Sequence, residues 1–119
     1  VVIALRGELD VCTAADGLRE LTALAATRAW IIVDLAELAY LDCYCLSELT
    51  GLRAQVRRAG GDLMLAGPQP VVLRLLVLCD IVIHWSVFTS VGEAVSSAGG
   101  APAAVRHARR LPERSTAAS

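Results

Sequence analysis

The sequence predicts a single α/β domain whose sheet contains parallel strand pairs, with helices covering at least one face. Three observations lead there. Apolar β-type runs alternate with segments of helical period, in the order β-α-β-α-β-α-β-α. The run Trp30 to Leu35 (WIIVDL) is nearly all apolar, as a strand buried on both sheet faces must be. The chain has 119 residues, enough for one ordinary core and not for two. With 55% apolar and 19% charged residues it can bury enough surface to fold. Aromatics make up 4%, so the core must be built from Val, Leu, Ile and Ala.

The elements follow in order. Val1 to Leu5 reads as a short strand ending at Arg6-Gly7. Thr13 to Ala26 reads as a helix, with Leu18, Leu21, Leu24 and Ala25 at helical spacing and Asp16 near its positive N-terminal end. Trp30 to Leu35 is the second strand, and Leu41-Asp42 ends the next short segment. Leu46 to Ala59 reads as a helix with Leu46, Leu49, Leu52 and Val56 inward, stopped by Gly60-Gly61. Asp62 to Ala66 is a strand, and Gly67-Pro68-Gln69-Pro70 turns into a helix over Val71 to Leu78. Ile81 to Trp85 reads as a short strand. Ser90 caps a last helix through Ala98, with Glu93 completing a capping box. The domain therefore spans residues 1–98. Residues 99–119 are rich in Ala, Gly, Pro, Arg and Ser without apolar period, and are expected to form a flexible tail.

Charge narrows the partners. Residues 1–98 hold seven Arg against eleven Asp/Glu, while residues 99–119 hold four Arg against one Glu. A mildly acidic body argues against a nucleic-acid partner, because phosphate contacts need a basic face. No apolar run approaches the ~20 residues that span a bilayer, so no membrane insertion is expected. All eleven basic residues are Arg, which points to a GC-rich bacterial genome. Four Cys without a secretory signal predict free thiols in a reduced, cytoplasmic setting. The sequence opens inside a strand without an initiator Met, as a trimmed sequence would.

Catalytic constellations are missing from the sequence. Gly60-Gly61 follows a helix, where a phosphate loop would precede one. There is no G-x-S-x-G, and neither His84 nor His107 is placed beside a nucleophile. Cys43-x-Cys45 lacks the spacing of a zinc ligand pair. No enzyme activity, metal or cofactor is expected.

Five segments carry a resemblance. They are Gly7-Glu8-Leu9-Asp10; Val33-Asp34-Leu35 leading to Leu41-Asp42-Cys43-Tyr44-Cys45-Leu46; Arg58 to Leu63; Leu65 to Pro70; and Val87 to Val91 with Glu93-Ala94. Together, in this order and spacing, they resemble the STAS domain family, in the form found in anti-sigma factor antagonists. The resemblance implies the STAS fold, with a mixed four- to five-stranded sheet and about four helices, the family's first strand missing from this sequence. It implies a monomer or weak homodimer that binds an anti-sigma factor of serine-kinase type, or another STAS-binding protein. Such a kinase phosphorylates the Ser that follows the Asp of a D-S-S-G motif. The added charge of about −1.5 to −2 repels neighbouring carboxylates and breaks the complex.

Here that motif reads Asp42-Cys43-Tyr44-Cys45. The phosphoacceptor-equivalent position is Cys43, which a serine kinase cannot phosphorylate. The resemblance assigns partner binding to Asp10, Asp42, Cys43, Tyr44, Cys45, Leu46 and Glu48. Asp80 stands where the family usually has Gly after the third helix. Two readings of the cysteines stay open: a thiol switch in which Cys43 pairs with Cys12, or small residues left in place of Ser and Gly after the phosphosite lost its role. Tyr44 is either an exposed interface anchor or a ring folded over the sheet end. Ser47 and Thr50 are substitute phosphoacceptors or ordinary helix-surface residues, and Cys79 reads as core.

Overall fold

A computed structural model of the protein describes residues 1–27 and 29–97, and the backbone of residues 105–110. β1 (Val2–Leu9) leads into two short helices, α1 (Ala14–Gly17) and α2 (Arg19–Leu24). β2 (Trp30–Leu41), α3 (Cys43–Arg58), β3 (Asp62–Ala66) and α4 (Pro70–Leu78) follow. Next come α5 (Ile81–His84), β4 (Val87–Phe88), α6 (Val91–Ser97) and β5 (Val105–Arg110). The strands form one sheet in the order β4-β3-β2-β1-β5. The fold class is the one the sequence predicts. The sheet differs from the expected mixed one in that every strand pair among the described residues is parallel.

Strand alternation divides the core between two faces. Ile3, Leu5 and Leu9 of β1, Ile31, Val33 and Leu35 of β2, and Leu63 and Leu65 of β3 belong to the larger cluster, shared with α1 to α5. Val2, Ile32, Met64 and Ala66 belong to a smaller cluster with Ala94 of α6. Both faces of the central strands are thus covered, which is why WIIVDL has no polar face.

β2 runs six residues beyond the predicted end at Leu35. Its pairing with β1 slips twice: Ala4 and Arg6 face Asp34 and Glu37, and Gly7 and Glu8 face Leu38 and Tyr40. Each slip places one extra residue in β2, a β-bulge. The inward positions therefore run Leu35, Leu38, Leu41 instead of every second residue, and alternation is lost from the sequence. β1 is longer than predicted for the same reason, since it continues through Arg6-Gly7 to Leu9.

Three further expectations are corrected. The helix over Thr13 to Ala26 is interrupted at Leu18, which lies outside helical geometry at φ −99 and ψ 7. The strand over Ile81 to Trp85 is instead α5, a helical turn followed by β4. Ile81 and Trp85 are buried while Val82, Ile83 and His84 between them are exposed, an i, i+4 pattern that a strand cannot produce. The sheet also does not end at residue 98: Val105–Arg110, inside the segment read as a tail, pairs parallel with β1. Ala98 and the rest of that segment lie outside the described residues. α6 is capped much as predicted, with Ser90 Oγ accepting from the Glu93 N–H at 3.1 Å. The Glu93 carboxylate reaches back to Thr89, accepting from its hydroxyl at 2.9 Å.

α3 ends at a left-handed residue, Gly60 (φ 98), whose N–H donates to Arg57 O. Gly61 is needed for a different reason. A Cβ there would lie 2.0 Å from the carbonyl oxygen of Ala29. Gly60 ends the helix, and Gly61 lets the start of β3 pass against the start of β2. Among the described residues no helix is long and apolar enough to cross a membrane.

Candidate docking surface at the start of the third helix

β1 and β2 end in register, Leu9 beside Leu41, so the next residues, Asp10 and Asp42, emerge side by side. Asp42 is the N-cap of α3, and its Oδ1 accepts from the Cys45 N–H at 2.9 Å. This cap starts the helix at Cys43, three residues before the predicted Leu46. Asp42 Oδ2 accepts from the Val11 N–H at 3.1 Å, which ties the loop after β1 to the start of α3. Asp10 Oδ1 accepts from the N–H groups of Cys12 and Thr13 at 2.9 and 3.1 Å and folds that loop on itself. Both carboxylates thus hold backbone in place.

The first turn of α3 splits the remaining candidates. Cys43, Tyr44 and Glu48 are exposed, with Tyr44 at 50%. Cys45 and Leu46 are buried, which corrects their assignment to the partner-facing set. Cys45 begins the inward stripe that continues through Leu49, Leu52 and Val56. Burial pushes the Cys45 thiol up to about 12, helped by its hydrogen bond to Asp42. It stays protonated and out of reach.

Tyr44 stands over a groove of about 350 Å³ between α3 and the loop and helices after β1. Val11, Ala15, Leu18 and Leu52 supply apolar lining, and Glu48 lies one turn beyond Tyr44. The negative charge of Glu48, and a hydrogen bond to it, raise the Tyr44 phenol above its ordinary range. Tyr44 and Glu48, four residues apart on α3, line the same groove, and half of the Tyr44 surface is exposed. The surface offers an aromatic edge, an exposed Val11 and a carboxylate, a combination suited to binding another protein.

The Cys12–Cys43 pairing finds no support in the hydrogen-bonding pattern. Cys12 is exposed on the loop after β1, whereas Cys43 meets Cys79, the C-cap residue of α4. Cys79 is exposed, not core. Sequence reasoning missed this pair because the two residues lie on different elements with no shared motif. Asp80, which follows Cys79, adopts the left-handed conformation (φ 58). Ser47 and Thr50 are both on the exposed side of α3, and the Thr50 hydroxyl donates to Leu46 O at 2.9 Å. Among the described residues, no three His, Cys, Asp or Glu side chains are grouped to hold a metal ion.

Comparison with known proteins supports the same fold. A protein-family model described as STAS domain matches residues 1–94. No curated protein matches the sequence. Among solved structures, the chain is similar to the anti-sigma factor antagonist SpoIIAA in its unphosphorylated form, with TM-score 0.67, 20% identity, and 86% and 90% of the two chains covered. It is similar to the STAS domain of a SulP transporter from Vibrio cholerae, with TM-score 0.65, 19% identity, and 82% and 78% covered. A candidate anti-sigma factor antagonist from Thermotoga maritima aligns with TM-score 0.64, 16% identity, and 78% and 80% covered. At these identities the likeness is one of fold.

Proposed function

The chain belongs to the STAS domain family, and from that premise we propose that it is a regulatory binding module of the anti-sigma factor antagonist type. It would sequester an anti-sigma factor of serine-kinase type and so free a sigma factor for transcription. It acts by binding and not by catalysis. The observation that carries the reading is the exposed surface of Val11, Cys43, Tyr44 and Glu48, held in shape by the two-sided hydrogen bonding of Asp42. The residue at the phosphoacceptor position is exposed at the first turn of a long helix, where a partner can reach it.

The usual control is missing. A thiol at Cys43 is not a substrate for a serine kinase, so the charge that would repel a partner is never added there. Binding is then permanent, or set by something other than phosphorylation. A pull-down against candidate anti-sigma kinases, with and without ATP, tests this. The wild-type protein is expected to hold its partner under both conditions. Cys43→Ser, which restores an acceptor, is expected to gain a phosphate by intact mass and release the partner with ATP. No capture by either form would defeat the reading.

A second reading has an observation of its own. α4 and α5 expose Val71, Val77, Leu78 and Ile83, at 62, 51, 73 and 71%. Such a patch suits a scaffold that works by packing within a transporter or stress-signalling assembly. Neighbouring genes separate the two: a sigma factor and kinase favour the first, a transporter operon the second.

A further inference from the structure

Cys43 opens α3 and Cys79 closes α4, and the two meet across an open groove of about 480 Å³. Both are exposed and line this groove, and the charge and hydrogen bonding of Cys43 help to raise the Cys79 pKa. Leu46, Ile81 and Trp85 form the apolar floor, with Arg53 and His84 at its edge. Each cysteine sits on backbone that is independently held. Cys43 follows the Asp42 cap, and the Cys79 N–H donates to Leu75 O at 3.0 Å. The Asp80 N–H donates to Val77 O at 3.1 Å as the backbone turns left-handed into α5. The backbone that carries each cysteine to this groove is thus fixed on both sides.

We propose that Cys43 and Cys79 form a dithiol that hydroperoxides oxidise reversibly to a disulfide, and that this bond is the control of the docking surface. The second clause rests on the binding reading above; the disulfide itself does not. In the first step Cys43 Sγ attacks the peroxide. An S–O bond forms, the O–O bond breaks, and water or an alcohol leaves with the thiol proton. In the second step Cys79 Sγ attacks the sulfenic sulfur. The S–S bond forms, the S–O bond breaks, and hydroxide leaves as water with the Cys79 proton. Two thiols give up two electrons and the peroxide takes them. Desolvation, then the charge and hydrogen bond of Cys43, and finally Asp80 raise the Cys79 pKa, which disfavours Cys79 as the thiol that meets the peroxide first; it loses its proton only as it attacks the sulfenic sulfur. The product would lock the start of α3, where Tyr44 and Glu48 stand, to the corner between α4 and α5.

The test uses the full-length protein, reduced and then treated with stoichiometric hydrogen peroxide. Free thiols are counted, and non-reducing digests are mapped by mass spectrometry. Wild type and Cys12→Ser are each expected to lose two thiols and to yield a Cys43–Cys79 peptide that dithiothreitol reverses. Cys79→Ser is expected to form no internal disulfide and to leave Cys43 as a sulfenic acid, trapped by a dimedone probe. Four free thiols in treated wild type, or a Cys12–Cys43 link, overturn the proposal. No partner is needed, so failure of the two ideas can be told apart. A Cys43–Cys79 map with no anti-sigma capture upholds the disulfide and overturns the docking reading alone.

Discussion

Asp42 carries two jobs that substitution can separate. Its Oδ1 caps α3 through the Cys45 N–H, and its Oδ2 binds the Val11 N–H. Asp42→Ala removes both. Loss of an N-cap costs roughly 1 kcal/mol. The second hydrogen bond is worth about 0.5–1.5 kcal/mol, towards the low end because the Val11 amide is exposed and can turn to water. The sum is about 1.5–2.5 kcal/mol. Asp42→Asn keeps a carbonyl oxygen for the cap but offers an amide where Val11 needs an acceptor, so it should lose about 0.5–1 kcal/mol. In urea, with a slope near ~1.5–2 kcal/mol/M, the Ala midpoint should fall by about 1 M and the Asn midpoint by about half that. Hydrogen exchange should quicken at both Val11 and Cys45 in the Ala variant, and mainly at Val11 in the Asn variant. An Ala midpoint shift below about 0.3 M, or equal losses for Ala and Asn, would refute the division of labour.

Four further predictions rest on other positions. Gly61→Ala would drive a Cβ to 2.0 Å from Ala29 O, backbone that cannot swing aside, so it should cost upwards of about 2 kcal/mol by urea denaturation. Gly51→Ala, in α3 with nothing within 4 Å, should instead gain about 0.5–1 kcal/mol in the same assay. Cys45 is held near 12 in the fold against about 9 unfolded, so its contribution is intact below pH 9 and is lost as pH rises from about 9 to 12. Denaturation at pH 8 and pH 10 should show a loss of up to about 1.4 kcal/mol per pH unit above 9 that Cys45→Ala abolishes, and an unchanged slope in that variant would refute the assignment. Arg53 donates to His84 O at 3.0 Å and stacks over Trp85 at 5.1 Å, joining α3 to α5. Arg53→Ala should cost about 1–2 kcal/mol by the same denaturation, and Arg53→Lys should recover less than half because the planar stack is lost.

The inward stripes of α3 and of the central strands were legible in the sequence because burial leaves a periodic mark on the residues themselves. Leu46, Leu49, Leu52 and Val56 repeat at helical spacing, and Ile31, Val33 and Leu35 at strand spacing. The signal failed where geometry breaks the period. β2 lost it at two bulges, and Ile81 to Trp85 is too short an apolar run to distinguish a helical turn from a strand. The candidate site was half legible. Asp42 and Cys43 stand out as motif positions, but only the fold shows that Cys45 and Leu46 turn inward while Tyr44 and Glu48 turn outward.

By itself the sequence determined the α/β alternation, the inner strands, the long third helix, and the absence of a serine next to Asp42. These follow from local pattern and residue identity, which need no distant partner. Only the tertiary structure decided what the carboxylates of Asp10 and Asp42 bind and which thiol Cys43 meets. Asp42 reaches Val11 because two parallel strands end in register, and Cys43 reaches Cys79 because α3 and α4 pack against the same sheet face. Contacts between elements depend on strand register and helix placement, and neither is written in the spacing of the residues that finally touch.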